Sequence, residues 1–563
     1  MVALGTVLVP APAGAAATRV HAPLVGPADF PTEPIGAVPV DGNGLIPNAV
    51  TPTGVRPGPP RTCGVVFDAA AGATATSVNA EIARVENRLT KPLVVCLAGT
   101  FTRPIRVWGK HSRPLLELAP APGHAAVIDP GAVRPADVSP HDHTGGVAGG
   151  VSITGSRDVE VEGLTITGYH SRGPAFTPAG ILVEVRRDGG YTSPCFEHGD
   201  HACSGIYLID DTVDEIANLA DSVSSTRRYC GTSGVGAYGI GVFSYGRGAA
   251  GALQHVVVEG DTIDHTRTGQ SETLTVNGDV TDFLVADNLV SDTDNIGIDT
   301  IGWEAGTDQA RHGIVSGNVV ANVDTWSNHS YGRWNGSRCV PRTQNAGGIY
   351  DDGASYVWIE HNTVWNTNQG ISLDVETPRR TTGHLLVTGN TVFDGPGTSI
   401  GTNSAGTDPS QMPGVSSVAG HAYDAFYVDA FGVGSTIADV VATGNTFVNE
   451  SQFYGTRSPQ TAPVVDLGGR WRTVVIRGDV IEGNGASDRR NPLLLVDNEP
   501  LPASIAVVDC NAYGRLSAEP TGNFVLPGGK VFVSLSAWRR GNGHGWDAHS
   551  VAGLSPPRCP PPP

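Results

Sequence analysis

Apolar and polar positions alternate with period 2 in short segments broken by Gly, Asn and Asp, a pattern that predicts strands rather than helices. One motif recurs: apolar residues at alternate positions, two small or polar residues, then Asn or Asp followed by Thr or Val and more apolar residues. It stands as HVVVEGDTIDHT around Asp261, FLVADNLVSDT around Asn288 and GIVSGNVVANV around Asn318. It returns as VWIEHNTVWNT (Asn362), LLVTGNTVFDG (Asn390), VVATGNTFVNE (Asn445) and VVIRGDVIEGN (Asp479). Spacings run from 27 to 55 residues, as expected of a coil of about 22–30 residues that tolerates inserted loops.

A second strand of common shape precedes each copy. These strands begin at Gly180, Gly239, Leu274, Gly297, Gly348, Gly370 and Phe426. Two or three short strands per turn, stacked turn on turn, describe a parallel β-solenoid; propeller blades are longer and more regular. The expected fold is all-β, a single-stranded right-handed parallel β-helix with an N-terminal cap helix over 77–90 and loop insertions. The expected layout is a signal peptide over 1–17, a Pro/Gly-rich leader over 18–60, the cap and first coils over 61–150, the β-helix over 151–510, and a C-terminal cap with Pro-rich tail over 511–563.

Composition narrows the class. The 563 residues include 74 Gly and 41 Pro, with 16% charged and 6% aromatic residues, which excludes coiled coils and helical bundles. There is no run of 18 apolar residues to span a membrane as a helix, so no membrane partner is expected. The net charge of −19 argues against nucleic acid. The Ala15-Ala16-Ala17 end of the leader and eight cysteines without CxxC pairs suit secretion and a few disulfides; Cys63–Cys96 and Cys195–Cys203 are favoured by proximity. No spacing fits a zinc site.

The motif resembles the right-handed parallel β-helix proteins of the pectate-lyase-like superfamily over roughly residues 60–550. TSVNAEIARVENRL followed by VVCLAGTF resembles their cap helix and first strand. The resemblance implies a carbohydrate substrate and one of three classes: polysaccharide lyase, glycoside hydrolase or non-catalytic glycan binder. A further resemblance, to lacto-N-biosidase-like β-helix glycosidases, rests on acid pairs such as Asp292 and Asp299.

Aligning the second strands gives an inward stack of Ile181, Ile240, Leu274, Ile298, Ile349, Ile371 and Phe426. The next position makes an outward row with Asp299, Tyr350 and Tyr427, and two residues on a second row holds Asn277, Asp352, Asp374 and Asp429. Acids crowding one face, with rungs ~4.8 Å apart, suit the paired carboxyls of glycosidases. Asp299, Asp351, Asp352 and Asp374 are therefore the catalytic candidates. Asp351 falls at an inward position, where desolvation would raise its pKa, unless a bulge at Asp352-Gly353 turns it out. Trp303, Glu304, Arg311, His312, Trp334, Tyr350, Glu272, Asn277 and Asp429 are the substrate-binding candidates, with Trp326 and Tyr331 as further aromatic residues that stack on sugar rings.

Only Lys91, Lys110 and Lys530 are lysines and none lies on this face, which disfavours a lysine-base lyase. The expectation is a secreted glycoside hydrolase using paired Asp carboxylates, with Asp299 the leading ionised partner, no required cofactor and no metal ligands assigned. A calcium-dependent lyase using Arg311, Arg333 or Arg342 as base is the second reading, since outward carboxylates are also calcium ligands. A glycan-binding module is the third.

Overall fold

A computed structural model describes residues 62–557, apart from 140–145, 189–190, 200–201, 220–235, 247–252, 305, 324, 326–327, 329–332, 335–338, 341–346, 395–423, 450–462, 484–491, 497–504 and 516–523. The proposed leader and signal segment lie outside the described residues.

The strands form a right-handed parallel β-helix. A 14-stranded array makes its first face, and a 25-stranded array turns a corner in every coil to make the second and third. One coil shows the plan: Tyr238–Tyr245 on the first face, Leu253–Glu259 on the second and Thr262–Asp264 on the third. Parallel pairing starts at Val65–Asp68 against Leu93–Phe101 and runs to Ala512–Arg515 against Val551–Ala552, beyond both ends of the 151–510 segment.

The predicted register holds residue for residue. Ile181 pairs with Ile240, Ile240 with Leu274, Leu274 with Ile298, Ile298 with Ile349, Ile349 with Ile371 and Ile371 with Phe426. All seven belong to one continuous buried core. Both favoured disulfides are present, Cys63–Cys96 and Cys195–Cys203, and no described cysteine is free.

The ends are closed against edge pairing. The cap helix spans Ala75–Val85, starting two residues before the sequence expectation because Thr74 and Ser77 form a reciprocal capping box; Ala75, Val78 and Ile82 point into the core. At the far end Phe524–Leu526 pairs antiparallel with Lys530–Phe532, and the Trp538 ring of helix Leu535–Gly541 stacks 5.1 Å from Phe524.

The motif's Asn is a structural ladder at the corner between second and third faces. Each side-chain oxygen accepts the backbone N–H of the equivalent residue one coil earlier: Asn288 from Asp261, Asn318 from Asn288, Asn362 from Asn318, Asn390 from Asn362 and Asn445 from Asn390, at 2.9–3.0 Å. Each of these amide groups also donates to a carbonyl of the preceding coil, as Asn288 does to Val258. Asp261 and Asp479 continue the ladder through Oδ1, but their Oδ2 atoms have no bond. Burial pushes the Asp479 carboxyl up to about 7, and Asp261 is likewise raised, by burial and by the charges of Asp210 and Glu259.

A carboxyl raised in the folded state favours folding at low pH. The Asp479 contribution is intact below the unfolded value near 4 and is lost as pH rises to about 7, with a ceiling on the order of 4 kcal/mol. Asp479→Asn restores the missing amide donor. It should leave the unfolding midpoint nearly unchanged at pH 4 and raise it at pH 8, as read by denaturant titration at both values.

Candidate functional site

The outward rows of the first face converge on a cleft over three consecutive strands, Ile298–Ile301, Gly347–Asp352 and Gln369–Asp374. Asp299 pairs with Tyr350 across the first two strands, and Asp352 with Asp374 across the second two. The acids point outward as the alternation predicts, yet they are not exposed: Asp299, Asp374 and Asp352 retain 2%, 3% and 9% of their surface. Loops between rungs enclose them.

The donor sets distinguish the three. Asp374 accepts three bonds, from the backbone N–H of Val375 at 2.5 Å and of Phe431 at 2.9 Å on Oδ1, and from the Tyr350 hydroxyl at 2.9 Å on Oδ2. Asp352 accepts the backbone N–H of Glu376 at 2.9 Å. Asp299 Oδ1 has no partner. The Tyr350 hydroxyl also lies 3.0 Å from Glu376 Oε1, so the Asp374 and Glu376 carboxyls sit on either side of one phenol.

Crowded, desolvated acids resist ionising. Burial, then the charge of Glu376, pushes Asp352 up to about 8. Burial pushes Asp374 up to about 7, with its backbone and tyrosine donors pulling the other way. Asp299 is pushed well up by burial and by Glu272 and Asp352, which corrects the expectation that it is the ionised partner. Glu272, of intermediate exposure, is raised by burial and by Glu304. Glu304 accepts a 2.7 Å bond from the Asn277 amide, which places both at the cleft. Asp429 accepts the Tyr427 hydroxyl at 2.6 Å, and its charge reaches Asp374. Trp303 forms part of the same loop, half-buried, with the Arg380 guanidinium 4.9 Å over its ring.

Other candidates lie elsewhere. Asp351 points inward: it has no exposed surface, and Thr300 Oγ1, on the neighbouring rung, donates to its Oδ2 at 2.8 Å. Its carboxyl is raised well up by burial, but it lies on the core side of the strand, away from any cleft ligand. Arg311 and His312 belong to strand Arg311–Ser316 on the second face, because the chain turns the corner after Gln309. There Arg311 pairs with Asp279 at 2.9 Å and also bonds the Gln309 carbonyl. His312 packs edge-on to Tyr356, ring centroids 5.0 Å apart. Asp292 sits on the third face, bonded to Asn322. The side chain of Trp334, and Trp326 and Tyr331, lie outside the described residues.

Glu376 was missed. It falls two residues beyond the strand end at Asp374, where the alternation stops and a turn of the chain folds it back. The repeated Gly-x-x-x-Asp-Val-Glu stretch was the available signal.

Among the described residues, the groups of three or more His, Cys, Asp or Glu close enough to surround one ion are Asp509/Cys510/His549, Asp214/Asp264/His265 and Glu117/Glu160/Glu162. None comes from the cleft, whose carboxyls are spread more widely than a single-ion cage.

No protein-family model matches the chain. A curated relative, the uncharacterized protein YwoF of Bacillus subtilis (strain 168), is 29% identical over 146 residues, covering 25% of this chain and 29% of that protein, so the chain spans less than a third of that relative's length. Among solved structures, a GH136 lacto-N-biosidase from Eubacterium ramulus is 12% identical over 87% of this chain and 67% of that one, with a TM-score of 0.39. A mutant tailspike protein of E. coli bacteriophage HK620, in complex with a pentasaccharide, is 11% identical over 89% and 65%, with a TM-score of 0.42. A mannuronic acid specific polysaccharide family 6 lyase from human gut microbiota is 14% identical over 88% and 92%, with a TM-score of 0.39.

The Tyr350 hydroxyl is one of the forces holding the Asp374 carboxyl down. Tyr350→Phe keeps the ring and removes that donor. The Asp374 carboxyl should then titrate above its value of about 7, as read by infrared carboxylate bands across a pH series, with the unfolding midpoint little changed.

Proposed function

We propose that the cleft hydrolyses glycosidic bonds, with Asp352 as general acid and Asp374 as its ionised partner. The observation that carries this reading is the unequal donor set of two acids on paired rungs. Asp352, with one backbone donor and Glu376 beside it, holds its proton up to about pH 8 and has it to give to a leaving-group oxygen. Asp374, with three donors, is the acid of the pair best supported as a carboxylate, ready to activate water or attack the sugar carbon. Glu376 supplies the negative charge that keeps Asp352 protonated.

Elimination fits less well. Its base would be an arginine, and Arg311, the described candidate, is tied to Asp279 on another face. A lyase of the calcium type needs several oxygens around one ion, which the cleft carboxyls do not supply among the described residues. The two disulfides support a secreted protein.

Hydrolysis on this scheme requires Asp374 ionised and Asp352 protonated. The rate should fall as pH drops below about 7 and again as it rises above about 8, giving a narrow bell. Asp352→Asn should lower the rate ~10²–10⁴-fold and abolish the alkaline limb. Asp429→Asn should cost less. Incubation with a glycan panel, followed by assays for reducing ends and for unsaturated products, checks this. Reducing ends without unsaturation are expected; unsaturated products would mean elimination, and near-normal hydrolysis by a folded Asp352→Asn protein would remove the acid from its role.

A further inference from the structure

Phe431 stands 71% exposed on the turn that follows strand Asp424–Val428, and Val433 beside it is 81% exposed. The next most exposed Trp or Phe among the described residues, Trp365, reaches 43%. An apolar ring that open to water marks a contact surface when something fixes it in place. Here the turn is fixed. The Phe431 N–H donates to Asp374, Gly432 N–H to the Val375 carbonyl at 2.8 Å, and Ser435 Oγ to the Thr377 carbonyl at 2.7 Å. A side chain at Gly432 would collide with the Glu376 and Thr377 carbonyls at 2.6 and 2.7 Å, so the two segments lie in close contact.

The ring is therefore presented, preordered, one residue's length from a cleft acid. Sugar rings offer apolar C–H faces that pack on aromatic rings, and a rigid two-torsion side chain loses little entropy in doing so. The cleft also selects by charge. Glu272, Glu304 and Glu376 join the aspartates on its walls, and Arg380 is turned onto the Trp303 ring and the Gly306 carbonyl. Such a surface repels uronate and sulfate groups.

We propose that Phe431 is the stacking platform for an uncharged pyranose next to the acid pair, and that the ligand is a neutral glycan. This rests on the reading of the cleft as a glycan site. The test uses the full secreted chain carrying Asp352→Asn, applied to a panel of immobilised neutral polysaccharides (glucans, galactans, mannans, xylans, chitin) alongside pectate, alginate and sulfated glycans. Binding to a neutral polymer is expected. Adding Phe431→Ala should weaken it about ten- to hundred-fold, the usual worth of a buried aromatic anchor, while Phe431→Trp retains it and the unfolding midpoint stays constant in both. Equal binding with and without the ring, binding confined to the anionic polymers, or no binding to any polymer would overturn the proposal. Ring-dependent binding by a wild-type protein that releases no reducing ends would end the hydrolytic reading and leave this one standing.

Discussion

Everything in this molecule depends on satisfying one buried backbone amide per coil. At the corner between second and third faces the chain turns inside the wall, where water cannot reach, and an orphan N–H there would cost several kcal/mol. The Asn ladder answers each amide with a side chain from the next coil, so neighbouring coils are held in a single relative position. The residues before the ladder share the constraint: Asp287 and His361 adopt positive φ at the position that Gly260, Gly317, Gly389 and Gly444 fill in other coils. With register locked at the corner, the first face inherits it. A slip of one residue there would exchange Asp299 and Asp352 with the aliphatic stack.

Desolvation raises carboxyl pKa values throughout this chain, so a raised value alone marks no function. Asp479 is raised at the end of the ladder, Asp351 inside the coil and Asp352 in the cleft. What separates them is what each faces. Asp479 is packed among amides that want an asparagine, and Asp351 leans on Thr300 in the core. Asp352 and Asp374 face outward beside Glu376 and Tyr350, with unequal donors on paired strands. Unequal environments for neighbouring acids are what divide the work of proton donor and proton acceptor.

The inward stack and both outward rows were legible in the sequence because period-2 alternation and glycine starts survive in every rung of the first face. Asp352 and Asp374 came with them. Arg311 and His312 were misplaced for the opposite reason: they are close to Trp303 along the chain, and nothing in DQARHG announces that the corner falls between Gln309 and Arg311. Glu376 and Phe431 were invisible to the alternation because both lie just past a strand end, where side-chain direction is set by a turn. The enclosure of the acids also escaped, since it comes from loops that the strand pattern skips.

The segments past the strand ends tie the chemistry to the binding surface. Asp374 Oδ1 accepts the Phe431 N–H, so one carboxyl serves both as a cleft acid and as the anchor of the exposed ring. Hydrogen bonds to a carboxylate are stronger than to its protonated form. Ionisation of Asp374 therefore tightens the turn that carries Phe431, and by linkage a ligand that needs the turn in place favours the ionised acid. The same argument extends through Tyr350, whose hydroxyl bonds Asp374 and Glu376 together: a proton added to either acid changes what the phenol donates to the other. The β-helix wall supplies the spacing, and these few bonds beyond it couple where a ligand rests to which acid holds the proton.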